Sequence, residues 1–506
     1  MIGHIAMDIA KENLAVAIGQ RICTGFTGTE VPPEVRDLIR KHKIGNILLF
    51  SRNVADFHQL RHLCAELREL ILAETGLPPF IMIDEEGGEI SRVGHLAGDT
   101  PSAGALGASG EPENARMIGR IIGKRLRAAG INMNLAPVLD CLSQPENAAM
   151  GNRCFSRVPE QVSLFGRAYM EGIRESGVLT CIKHFPGHGD TAVDSHFALP
   201  VVSKDLDAIR QTELVSFRDA IRAGTDAVMS AHIVFPALEP DRLPATISSR
   251  VLNGLLRKQL GFSGLIISDG MEMKAMLDLF PIPEGVLRAL KAGVDIALIC
   301  HEPALAAASC VRIREGLESG MLSPQNITEA YQRIAARKAS LPDAGPAGDF
   351  LNRQDQEISA GIMRRAVRLV HAPENRPLPA ADERTLFWSR PSRRPSPAMD
   401  GGYLNAADIC AERFASPFCF NGSGEKPDIL PETAIFFLRK GEHLAEDLQE
   451  AARLASLGTR VVCVSLDIPY VLENAPRQAW HIQAWQYQTL ALDAVCSLLG
   501  RNGIPG

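Results

Sequence analysis

The sequence predicts an α/β chain: a TIM-type (β/α)8 barrel followed by a smaller α/β, sandwich-like C-terminal domain. Three observations carry that prediction. A helix-like segment, a glycine and a short apolar run recur through the first two thirds of the chain. About eight such runs fall within a length that suits one barrel, with a doubly wound sheet as the alternative. Several of the runs also end on a polar residue, as strands lining a functional mouth do.

The apolar runs come in order as Arg21 to Gly28, Gly45 to Phe50, Pro79 to Asp84, Ile131 to Ala136, Val178 to Lys183, Thr225 to Ser230, Gly264 to Asp269 and Val294 to Ile299. Four of them follow a glycine, at Gly130, Gly177, Gly224 and Gly293, which predicts a left-handed helix stop before a strand buried on both faces. The strand ends carry Asp84, Lys183 with His184, His232 and Asp269. Four polar endings on different strands converge on one mouth in a barrel and predict a pocket there.

Beyond about residue 340 the texture changes to polar and Pro-, Arg- and Ser-rich stretches. The expected division is 1–340 as barrel, 341–400 as linker and connecting helix, and 401–506 as the small domain. A helix is predicted over Glu357 to Leu369 and another over His443 to Leu457. Strands are predicted at Thr385 to Trp388, Ala434 to Leu438 and Arg460 to Leu466.

With 506 residues the chain is too long for one core. Its formal net charge of −6 gives no electrostatic reason for a nucleic-acid or anionic-membrane partner. The eleven cysteines are scattered without a Cys-x-x-Cys pair, which points to a reducing, cytoplasmic setting and away from a structural zinc site. Met1 to Gln20 lacks the pattern of a signal peptide, and no apolar run reaches membrane-spanning length.

The richest segment runs from Lys183 to His196, with His184, His188, Asp190, Asp194 and His196 on what reads as a loop loosened by Gly187 and Gly189. Titratable groups gathered at a strand end favour proton-transfer chemistry. Asp194 orienting the ring of His196 would make a general acid/base; imidazoles and carboxylates together would also suit a divalent metal; plain packing of the barrel rim is the bland reading. Asp269 reads on its own as a helix N-cap for the segment beginning at Met271, in preference to a nucleophile or a metal ligand. Asp84-Glu85-Glu86-Gly87-Gly88, with Arg92 beyond it, reads as a substrate clamp, a metal site or a solvated turn, the last being the better reading for Glu85 or Glu86 taken singly.

Several motifs in one order resemble family 3 glycoside hydrolases of the bacterial β-N-acetylglucosaminidase type. They are Lys183-His184-Phe185-Pro186-Gly187-His188-Gly189 with Asp194-Ser195-His196, the Asp84 to Gly88 turn with Arg92, Gly151-Asn152-Arg153-Cys154-Phe155-Ser156, Pro244-Ala245-Thr246-Ile247-Ser248, and Gly261 through Asp269. The resemblance spans roughly residues 15 to 340 and, more loosely, the small domain. It implies Asp269 as nucleophile and His196 as acid/base oriented by Asp194. It also implies that Asp84, Arg92, Arg153, Lys183 and His184 hold the sugar, with no cofactor and no metal. The implied activity is exo-acting release of terminal β-linked N-acetylglucosamine from a small carbohydrate, through a covalent glycosyl-aspartate. The family commonly carries glutamine at the position of Glu85 and arginine at that of Glu89, a departure that bears on the outer rim of the site.

Three other readings stay open on the sequence alone. One is a phosphorylase of the same family, in which phosphate attacks the glycosyl-enzyme. Another is a metal-dependent barrel hydrolase, and the third a non-catalytic sugar-binding protein.

Overall fold

The structure is a computed structural model. It describes residues 11–144, 147, 149–191, 195, 197–342, 350, 352–390, 405–422, 430–441 and 443–500. Asp194 and His196 therefore lie outside the described residues.

Eight parallel strands close into a barrel in chain order. They are β1 (Ile22–Thr24), β2 (Asn46–Leu49), β3 (Phe80–Ile83), β4 (Met133–Asn134), β5 (Leu179–Phe185), β6 (Ala227–Ser230), β7 (Leu265–Gly270) and β8 (Ile296–Ile299). Each falls on one of the apolar runs. Gly130, Gly177, Gly224 and Gly293 all have positive φ, between 74° and 124°, so the predicted helix stops are realised. The doubly wound alternative is thereby set aside.

Strand alternation divides the barrel's apolar residues into two clusters. Leu48, Phe80, Met82, Leu179, Cys181, Met229, Leu265, Ile267 and Leu298 fill the barrel interior. Ile47, Leu49, Ile81, Ile83, Ile182, Val228, Ile266 and Ala297 pack outward with the surrounding helices. The helix Phe57–Thr75 shows how local sequence sets these outer elements: Asp56 caps it by accepting from Gln59 N at 2.9 Å, and it stops at Gly76 with φ +71°.

The second sheet has six strands in the order β11-β10-β12-β13-β14-β9. These are β9 (Arg368–His371), β10 (Leu386–Trp388), β11 (Cys419–Phe420), β12 (Thr433–Leu438), β13 (Arg460–Ser465) and β14 (Trp480–Gln483). All its pairings are parallel except that of β9 with β14. The predicted helix over Glu357 to Leu369 is observed at Arg353–Ala366, and its predicted tail instead enters β9. Strands β9, β11 and β14 were not expected. Two of them are edge elements of two to four residues, too short to carry a pattern, whereas β14 does alternate, as Trp480-His481-Ile482-Gln483, a signal the expectation passed over.

Candidate active site

Alternation also decides which strand endings reach the mouth of the barrel. Phe80 and Met82 point inward, so Asp84, two residues on, continues the inner face; Leu179 and Cys181 do the same for Lys183, and Leu265 and Ile267 for Asp269. All three side chains line one cavity of about 610 Å³, together with Glu86, Arg92, Arg153, His184, His188 and Ser195. His232 fails the same test. It shares register with outward-facing Val228 and lies buried behind β7, with Nδ1 2.8 Å from Thr246 Oγ1 and Nε2 3.0 Å from the Gly270 carbonyl. The expectation that His232 opens into the pocket is thus corrected by parity.

At the base of the cavity sits a buried four-charge network. Lys183 Nζ reaches Asp84 Oδ1 at 2.5 Å and Glu86 Oε1 at 2.7 Å. Arg153 grips the same Glu86 through Nε and Nη2, both at 2.9 Å. Burial by itself would raise the Glu86 carboxyl, but Arg153 and Lys183 outweigh it and hold it well below the usual carboxylate range. Burial likewise opposes the Lys183 charge, and Asp84 and Glu86 more than offset it. Asp84, the network's most open member, keeps 17% of its side chain exposed. The solvated-turn reading fails for Glu86, which is the hub of the network.

It fails for Glu85 as well. That carboxylate turns away from the cavity and accepts from Ser91 Oγ at 2.5 Å, Arg92 N at 2.6 Å and Val93 N at 3.1 Å. Glu89 is buried too, beside Arg439 and Asp467, where burial pushes its carboxyl up to about 8. Neither residue lines the cavity, so the two departures from the family pattern do not alter its rim.

Lys183 and His184 belong to β5 itself and not to the loop after it. Asp140 anchors the chain on either side of that strand's end. It accepts His184 Nδ1 at 2.7 Å and the His188 amide at 2.6 Å. Burial disfavours the Asp140 charge, but His184 and His188 reverse this and hold its carboxyl below the ordinary value. With a carboxylate on Nδ1, His184 presents Nε2 as an acceptor, and Arg153 Nη2 lies 3.4 Å from it. Asp140 was missed in the sequence, although it too comes after an apolar run, Val138-Leu139.

The described part of the glycine-rich loop is packed at Gly187 and Gly189. A Cβ on Gly189 would sit 1.7 Å from the Cys141 carbonyl oxygen, so the residue serves close backbone approach. His188 spans the loop, with Nδ1 2.9 Å from Thr191 Oγ1 and Nε2 3.1 Å from Ser195 Oγ. Burial and the neighbouring His184 bring its pKa down to about 4, so it is neutral at pH 7. Asp190 turns outward to Ser143 Oγ at 2.7 Å and Lys204 at 3.2 Å.

Asp269 is the penultimate residue of β7 and accepts from the Gly270 amide at 2.7 Å. No helix begins at Met271; the next one is Lys274–Leu277, so the N-cap reading is corrected. Farther out, Phe50 and His301 face each other with ring centroids 5.5 Å apart. Glu272 accepts from the His301 and Glu302 amides at 3.0 and 3.2 Å, fixing the turn that presents His301. Among the described residues, no group of three His, Cys, Asp or Glu side chains is placed to hold a metal ion.

Comparison with known proteins settles the family. The model of the glycosyl hydrolase family 3 N-terminal domain matches residues 14–336. The chain belongs to this family. It is 34% identical over 343 residues to a beta-hexosaminidase A of Pseudoalteromonas piscicida, covering 62% of this chain but only 56% of that protein. A beta-hexosaminidase of Thiobacillus denitrificans is 38% identical over 285 residues, 55% of this chain and 77% of its own length. Among solved structures, a glycoside hydrolase family 3 beta-N-acetylglucosaminidase from Paenibacillus sp. str. FPU-7 superposes with a TM-score of 0.88 at 29% identity, covering 97% of both chains.

Proposed function

We propose that this family 3 hydrolase is an exo-acting, retaining β-N-acetylhexosaminidase that removes terminal N-acetylglucosamine from a small carbohydrate. The observation that carries the proposal is the shared cavity. Asp269, on β7, opens into the same space as the Asp84–Lys183–Glu86–Arg153 network, which is shaped to hold hydroxyls of one sugar. Relatives named beta-hexosaminidase and a neighbour named beta-N-acetylglucosaminidase support the choice of sugar.

In the first step an Asp269 oxygen attacks the anomeric carbon and the bond to the aglycone oxygen breaks. His196, oriented by Asp194, donates the proton that the departing oxygen takes up. Next, His196 removes a proton from water, the water oxygen displaces Asp269, and the sugar leaves with its original configuration. Asp84, Arg92, Arg153, Lys183 and His184 hold the ring hydroxyls throughout. Asp194 and His196 enter on the strength of their motif, and Ser195 between them lines the cavity, which supports that assignment. A histidine donor suits work near neutral pH without a carboxyl of strongly raised pKa. Eleven cysteines, none joined in a disulfide, fit a reducing cytoplasmic setting.

A panel of aryl β-glycosides differing at C2, monitored by NMR, tests the reading. The acetamido sugar should be preferred over the 2-hydroxy sugar by about tenfold or more in kcat/KM. The free β-anomer should appear first, in phosphate buffer as in phosphate-free buffer. Equal use of both sugars, or first appearance of the α-anomer, would sink the assignment. Sugar 1-phosphate as the product would turn it into a phosphorylase.

A further inference from the structure

The two partners of the Arg153–Glu86 pair ride on separate segments of the barrel, and the second domain touches both. Glu86 belongs to a turn closed by its own amide donating to Ile90 O at 2.9 Å and by the Gly88 amide donating to Thr100 O at 3.0 Å. The Trp485–Gln488 segment, just beyond β14, lies along that turn. Gln488 Nε2 donates to the Gly88 carbonyl. Gln486 Oε1 accepts from Ser102 N at 2.7 Å, its Nε2 lies 3.5 Å from Thr100 O, and Ser102 Oγ donates to Trp485 O at 3.2 Å. Gly88 and Ser102 are pressed together so closely that a Cβ on Gly88 would lie 2.5 Å from Ser102 Cβ.

Arg153 sits at the end of a short 3-10 turn, Gly151–Arg153. Its neighbours Ala149, Met150 and Cys154 are in one apolar cluster with Ile468, Val471 and Leu472 of the second domain. A Cβ on Gly151 would be 3.7 Å from the Ile468 side chain. The polar hold on Glu86 and the apolar hold on Arg153 thus come from the same domain by independent contacts.

We infer that the C-terminal domain is a working part of the sugar site, bracing both arms of the Arg153–Glu86 pair, with Gln488 as the positioning residue for the turn that bears Asp84 and Glu86. The inference rests on the proposed sugar-binding role of that turn. On that reading Asp84 and Arg153, the latter held by Glu86, grip the ring alike in ground and transition states, so a displaced turn weakens binding more than it slows the chemical step.

The test uses the full chain with Gln488→Met, which keeps volume and loses the N–H donor. Arg365→Ala serves as control: Arg365 donates to Asn114 Oδ1 at 3.1 Å, bridging the connecting helix to the barrel through a contact that does not involve the turn. Three quantities are measured: KM and kcat on an aryl β-N-acetylglucosaminide, inhibition by N-acetylglucosamine, and hydrogen exchange of the peptide spanning residues 84–92. In Gln488→Met, KM and the inhibition constant should rise together by about tenfold, while kcat falls less than about threefold. Exchange across 84–92 should quicken, and the control should leave all of these near the wild-type values. The bracing role is refuted if KM and exchange in Gln488→Met stay within about twofold of wild type, or if Arg365→Ala changes them as much. Should the wild type prove inactive on this sugar, the functional reading fails alone, and the exchange rates still decide the bracing.

Discussion

Arg153 and Glu86 meet as a bidentate pair across 67 residues of sequence, with both N–O distances at 2.9 Å and both side chains more than nine-tenths buried. Such a pair holds its two segments at a fixed separation, and Lys183 joins it from β5 at 2.7 Å. Three parts of the chain thereby agree on one geometry around Asp84.

Glu86→Gln should therefore cost more than a surface pair, about 3–5 kcal/mol, because Arg153 and Lys183 would keep buried charge with less compensation. The Glu86 pKa is depressed in the fold, so its contribution is present above the ordinary value of 4.5 and is lost as pH falls through the lower folded value. Denaturant unfolding of wild type and Glu86→Gln at pH 7 and pH 4 checks this. The gap between the two proteins should be wide at pH 7 and narrower at pH 4.

Glu89 predicts the opposite pH trend. Its carboxyl is raised from 4.5 to about 8, with burial as the main cause, Arg439 opposing and Asp467 adding to the shift. A raised pKa means the folded state keeps a proton that the unfolded chain gives up, so stability is lost as pH climbs from 4.5 towards 8. Glu89→Gln removes that loss. Its melting midpoint should exceed that of wild type by a margin that grows between pH 5 and pH 8, read by calorimetry.

Asp140→Asn should lower kcat/KM by about tenfold to a hundredfold with the fold intact. The amide keeps the shape of the carboxylate but weakens its hold on His184 Nδ1 and on the His188 amide. Steady-state kinetics beside circular dichroism separates this from unfolding.

Asp269→Ala should reduce turnover of an aryl N-acetylglucosaminide by about a thousandfold or more, with little change in melting midpoint. Retention of near-normal turnover would remove Asp269 from the reaction.

Much of this was legible without coordinates because it depends on short-range periodicity. All eight barrel strands lie on apolar runs that the sequence marks, and four helix stops lie on glycines that adopt positive φ. Asp84, Lys183, His184 and Asp269 stand at strand ends, a local property. The short strands β9 and β11 were not legible, since two to four residues carry too little pattern to distinguish strand from loop.

By itself the sequence determined the eight strand segments, the family pattern and the strand-end residues, because helix and strand periods are written in neighbouring side chains. Which face of each strand points inward was decided only by closure of the sheet, and that choice brings Asp84, Lys183 and Asp269 into the cavity and turns His232 away from it. Tertiary structure alone also made Glu86 the centre of a buried ion network, hid Glu85 and Glu89, and laid Gln488 against Gly88. The partners in those contacts are separated by between six and 400 residues, and at the longer separations no local rule could have joined them.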